Sequence, residues 1–125
     1  MALTKSSSAR SGYNYGAGNC TAGSTVTGTG LSTGYGVTAV GKIVNGATAP
    51  TTPCAAYVDY SADNSTWISG PMIAVGDLVA SSTTPFAITL GIGSGADFAY
   101  YRIRFTGNTG QAVGVGYDDS TTTEI

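Results

Sequence analysis

At 125 residues, with 10 % charged side chains and a net charge of -2, the chain has room for one domain whose surface is built mainly from Ser, Thr, Asn, Gly and backbone. Its five basic residues, Lys5, Arg10, Lys42, Arg102 and Arg104, are scattered, which argues against a nucleic-acid reader, and the absence of histidine excludes triad hydrolysis and His-based zinc chemistry. No run approaches the roughly 20 apolar residues of a membrane span, and MALTKSSSAR lacks the apolar stretch of a secretory signal, so synthesis in the cytoplasm is expected.

Residues 1–34 read as an extended Gly/Ser/Thr-rich N-terminal arm and residues 35–125 as the body. The arm contains Ser6-Ser7-Ser8, Tyr13-Asn14-Tyr15 and a Gly-Thr alternation through Thr29-Gly30. So few large apolar side chains cannot offset the entropy of ordering the segment, and a partner surface is the expected holder. Tyr13 and Tyr15 project to one side of any extended segment and are candidate partner-binding anchors; equally, they can cover the arm's own domain. Thr25-Val26-Thr27 suits a short strand. Cys20 and Cys54 are too few for a disulfide-stapled mini-protein and lack zinc spacing, so two unlinked, packed thiols are expected, with a Cys20 to Cys54 bridge as the alternative.

In the body, Val37 to Val44 is the first strand candidate. Ala56, Val58 and Tyr60 alternate with Tyr57 and Asp59, the Ala62-Asp63-Asn64-Ser65 cluster turns, and Thr66-Trp67-Ile68 returns, which predicts a hairpin. Met72 to Val75 and Phe86 to Ile92 follow, and Gly76 to Ala80 suits at most a helical turn. From Phe98 to Phe105, Tyr101, Ile103 and Phe105 share one face while Tyr100, Arg102 and Arg104 share the other. Gly107-Asn108-Thr109-Gly110 tolerates positive φ and Val113, Val115 and Tyr117 resume the inward face, so residues 98–118 read as a second hairpin. Pro50, Pro53, Gly70-Pro71 and Pro85 separate strands that recur at roughly 8–12 residues, which predicts an all-β fold: a single antiparallel β-sandwich, jelly-roll or immunoglobulin-like.

Little in the chain suggests catalysis. Asp59, Asp63, Asp97, Asp118 and Asp119 are the carboxylates from which a glycosidase pair would be drawn, but they read as solvated loop acids; no catalytic residue, cofactor or metal is expected. Gly91-Ile92-Gly93-Ser94-Gly95 lacks the Lys-Ser/Thr of a phosphate loop and reads as a turn. Asp118 and Asp119 offer calcium oxygen ligands without the spacing of an EF-hand. Trp67 is the candidate for stacking on a sugar ring, set against a core position beside Val58 or Phe105. Tyr100, Arg102 and Arg104 form a small cationic strip that either meets an acidic patch on a partner or serves solubility.

The stretch Tyr57-Val58-Asp59-Tyr60-Ser61-Ala62-Asp63-Asn64-Ser65-Thr66-Trp67, with Tyr100-Tyr101-Arg102-Ile103-Arg104-Phe105-Thr106-Gly107-Asn108-Thr109-Gly110, resembles small β-sandwich proteins of tailed-phage virions. Those proteins decorate or cement capsids or serve in tails, and the likeness covers about residues 54–118. It implies a non-enzymatic virion structural protein, foremost a capsid decoration or cement protein that stabilises an assembled lattice by binding only that state. Capsid or tail subunits are the implied partners, with homo-oligomerisation and neither nucleic acid nor membrane as a ligand. The alternatives are a receptor- or carbohydrate-binding module using Trp67, and a subunit of an extracellular filament.

Overall fold

Residues two apart that face the same way build one apolar core between two sheets. The computed structural model describes residues 6–34, 36–91 and 98–124 of the chain, with side chains from residue 9 to residue 121 outside 35 and 91–97. In chain order the strands are β1 Ser6–Cys20, β2 Val26–Thr27, β3 Leu31–Ser32, β4 Gly36–Asn45, β5 Ala55–Ser61, β6 Ile68–Val75, β7 Thr83–Gly91, β8 Tyr100–Thr106 and β9 Val113–Glu124. One sheet runs β1-β9-β4-β7 and the other β2-β8-β5-β6, with β3 also on β8, and every pairing is antiparallel. The fold is therefore an all-β sandwich. Val37, Ala39 and Ile43 of β4, Phe86 and Leu90 of β7, and Val113, Val115 and Tyr117 of β9 face Val58 of β5 and Tyr101, Ile103 and Phe105 of β8.

The stretch expected as an arm supplies three strands of this sandwich. β1 lies along β9 from the Ser6 to Glu124 pair to the Cys20 to Val113 pair, while β2 and β3 pair with β8. Its glycines explain how so small-featured a segment packs. The Tyr117 ring fills the space a side chain would need at Gly12 and Gly28, so the body provides the large group and the N-terminal stretch provides the room. Tyr117 Oη accepts the Ile103 amide at 3.2 Å and donates to the Thr29 carbonyl at 3.3 Å, which fixes the ring.

Two other expectations are revised. Residues 98–118 do not form a hairpin: β8 and β9 belong to opposite sheets, and residues 107–112 carry the chain across the sandwich. Asn108 anchors that crossing. It is fully buried, and its side-chain amide donates to the carbonyls of Cys20 and Gln111, each at 3.1 Å. The expected hairpin from Cys54 to Ile68 does form, as β5 and β6, but β6 continues through Gly70-Pro71 to Val75. An edge strand tolerates Pro71 because its outer N–H groups have no partner, and the register shift between Tyr57 and Asp59 places a bulge there. Pro85 is accommodated in edge strand β7 in the same way. Gly76 to Ala80 forms a loop, and Ile92 to Asp97 lie outside the described residues.

Cys20 and Cys54 are both buried and unlinked. Asp119, expected as a loop acid, faces the interior. Arg10 holds it through Nε at 3.0 Å and Nη2 at 2.9 Å, and the Tyr101 hydroxyl donates to the same carboxylate. Arg10 Nη2 also reaches the Ser32 carbonyl at 2.6 Å, so one cluster ties β1 and β9 to β3 and β8.

Burial, with the Asp119 contact next, raises the Tyr101 pKa, and burial pushes Tyr117 up to about 12. Both shifts favour the protonated ring in the folded state. Such groups contribute stability that is complete below the ordinary tyrosine value of 10.0 and is lost as pH rises through the folded value. The urea midpoint is expected to stay level up to about pH 9 and to fall between about pH 10 and 12, less steeply in Tyr117→Phe. A level midpoint throughout would contradict the burial of these hydroxyls.

Candidate functional site

The outward positions of β8 and β5 form the most organised polar surface among the described residues. Antiparallel register sets Asp59 opposite Arg102, Tyr57 opposite Arg104 and Ser61 opposite Tyr100. Asp59 Oδ2 receives Nε of both arginines at 3.2 Å, and Oδ1 receives Arg104 Nη2 at 3.3 Å. The carboxylate is almost wholly covered, with 2 % side-chain exposure, whereas the arginines retain 24 % and 22 %. Asp59 is thus an ion-pair centre on the outer face.

Each guanidinium also stacks on a ring. Arg102 lies 4.2 Å from the Trp67 ring centroid and Arg104 lies 4.7 Å from that of Tyr57. The result is a row: Trp67, Arg102, Asp59, Arg104, Tyr57. Trp67 is half-buried on this surface and is not part of the core beside Val58 or Phe105.

The turn between β5 and β6 positions Trp67. Asp63 Oδ1 accepts the amides of Thr66 at 2.8 Å and Ser65 at 2.9 Å, and these bonds hold its carboxyl below the usual range. Asn64 adopts φ 60°, a left-handed conformation that asparagine tolerates. The link between β2 and β3 closes from the other side: a side chain at Gly30 would collide with Asn64 and with Trp67 Cζ2.

Tyr13 and Tyr15 belong to the other sheet, and the fold does not bring them to the arginine row. Tyr15 lies against Gly114 and Gly116, with Lys42 Nζ 4.2 Å from its ring centroid. With Tyr13, Val40, Lys42, Pro85 and Asp118 it lines an open groove of about 290 Å³. Tyr13 packs partly against the core, so the pair serves its own domain at least in part. Tyr100 is half-buried at the end of the arginine row.

Sequence reasoning selected Arg102 and Arg104 but not the aspartate between them. It also missed an apolar edge: Ile68, Met72 and Val75 of edge strand β6 are exposed, as are Leu78 and Val79 in the loop that follows. Asp118 and Asp119 do not converge on a cation, because one is exposed and the other is buried against Arg10. Among the described residues, no group of three or more His, Cys, Asp or Glu side chains is placed to hold a metal.

No protein-family model matches the sequence, and a sequence search of characterised proteins gives no match. The fold is similar to part of "Structure of infectious bursal disease virus Gx strain", with a TM-score of 0.62 and 11 % identity over 94 % of this chain and 32 % of that one. It is also similar to part of the PBSX exported protein XepA, with a TM-score of 0.55 and 19 % identity over 94 % of this chain and 38 % of that one. The SPBc2 prophage-derived protein YomS aligns with a TM-score of only 0.44 and 13 % identity, over 98 % and 97 % of the two chains, and carries no weight. This chain spans about a third of the length of the first two, and at these identities the likeness is one of fold.

Proposed function

We propose that the chain is a non-enzymatic structural subunit of a virus particle, and more finely a decoration or cement protein that binds an assembled capsid or tail lattice. The row of Trp67, Arg102, Asp59, Arg104 and Tyr57 carries this reading. Trp, Tyr and Arg dominate the energetics of protein interfaces, and here they are held in place before any partner arrives, which lowers the entropy cost of docking. The viral fold likeness supports the same reading.

The chemistry of the acids agrees with a non-enzymatic role. Asp59 and Asp119, the carboxylates buried among the described residues, are both committed to arginines. A glycan-binding role relies on an open Trp67 ring, and Arg102 occupies one face of it. Self-association along the exposed apolar edge of β6 belongs to the same proposal, since repeated weak contacts add up on a lattice.

A subunit that binds only the assembled lattice stabilises it by mass action, by about 2.7 kcal/mol at a free concentration 100-fold above Kd. The chain is therefore expected in density-purified particles at a fixed stoichiometry by mass spectrometry. Particles made without it are expected to release their contents at lower temperature. Recovery only in the particle-free fraction overturns the proposal.

A further inference from the structure

We infer that the arginine row accepts a carboxylate from an acidic segment of the partner protein. This rests on the lattice-binding reading and names the partner's chemistry. Two guanidiniums share the single carboxylate of Asp59, which leaves one positive charge on the row. Each guanidinium has five N–H donors. Asp59 engages Nε of Arg102 and Nε and Nη2 of Arg104, and the other donors of this pair have no hydrogen-bond acceptor among the described residues.

The contacts already made hold both guanidiniums in place. Asp59 takes Nε of both arginines and Nη2 of Arg104, and both guanidiniums stay partly exposed, so the remaining N–H groups are open to a further acceptor. A carboxylate matches such donors bidentately. Asp63, in the turn leading to Trp67, is committed to the Ser65 and Thr66 amides. A polyanion such as nucleic acid needs many more cations than one residual charge and the chain's five scattered basic residues. The fit is to a short acidic protein segment.

Trp67 is the chain's single tryptophan and touches Arg102, so it reports binding at the row. The isolated full chain is titrated with hexaglutamate peptide, in parallel with hexalysine and a neutral oligosaccharide, following Trp67 emission. A saturable change with hexaglutamate alone is expected, weakening roughly tenfold or more between about 0.05 M and 0.3 M salt. Arg104→Gln, which leaves the Trp67 to Arg102 stack in place, is expected to abolish the response, and Arg104→Lys to retain part of it. Thermal melts of both variants check that the fold persists.

No saturable change up to millimolar hexaglutamate overturns the inference, as does an undiminished response in folded Arg104→Gln. A response to the neutral oligosaccharide alone replaces it with glycan binding. Particles that bind Arg104→Gln as well as the unaltered chain sink the inference but leave the lattice-binding reading intact. Hexaglutamate binding by a chain absent from particles does the reverse.

Discussion

Deleting residues 1–22 is expected to abolish cooperative folding of the remaining chain. The deletion removes all of β1, so β9 loses one of its two neighbours and becomes an exposed edge. Asp119 loses Arg10 and is left as a buried charge with only the Tyr101 hydroxyl for company, a change worth about 3–5 kcal/mol. Tyr117 loses the cover of Gly12, and the core loses Cys20. Against a total stability of about 5–15 kcal/mol, these losses together are enough to unfold a domain of this size. A far-UV circular dichroism melt of the truncated chain should show no sigmoidal transition. A cooperative melt within a few degrees of the full-length protein would return the segment to the status of an arm held by a partner.

The contrast between β1 and β8 shows what the sequence discloses. In β8, Tyr101, Ile103 and Phe105 each supply a large inward group, so alternation alone identifies the strand and its buried face. β1 has glycine where its partner's ring comes through, and a side chain that is absent leaves no periodic signal. Alternation is equally silent about pairing. Residues 113–117 keep the same inward parity whether the chain turns back beside β8 or crosses to the facing sheet, so a hairpin and a crossing read alike. The site divides along the same line. The outward placement of Arg102 and Arg104 follows from parity, but Asp59 lies 43 and 45 residues away in sequence and joins them only through the pairing of β5 with β8. Thr66-Trp67-Ile68 reads as a return strand, whereas Trp67 closes the turn just before β6, where parity does not apply.

Asp119→Ala is expected to destabilise the protein by about 3–5 kcal/mol, because the buried carboxylate both pairs with Arg10 across β1 and β9 and accepts the Tyr101 hydroxyl of the facing sheet. The substitution strips the Arg10 guanidinium of both contacts to the carboxylate and leaves the fully buried Tyr101 hydroxyl without its acceptor. Arg10→Ala should cost a similar amount from the opposite direction, since it leaves the carboxylate buried and uncompensated. Asp119→Asn keeps the volume and one acceptor and should cost less, and Tyr101→Phe should cost about 1 kcal/mol, the net worth of one hydrogen bond. Denaturant melts give the order. The double variant Arg10→Ala with Asp119→Ala is the decisive member of the set, because once either partner is gone the penalty for the other has already been incurred. It should therefore fall well short of the sum of the two single changes. Strict additivity would mean that Arg10 and Asp119 contribute separately and not as an ion pair.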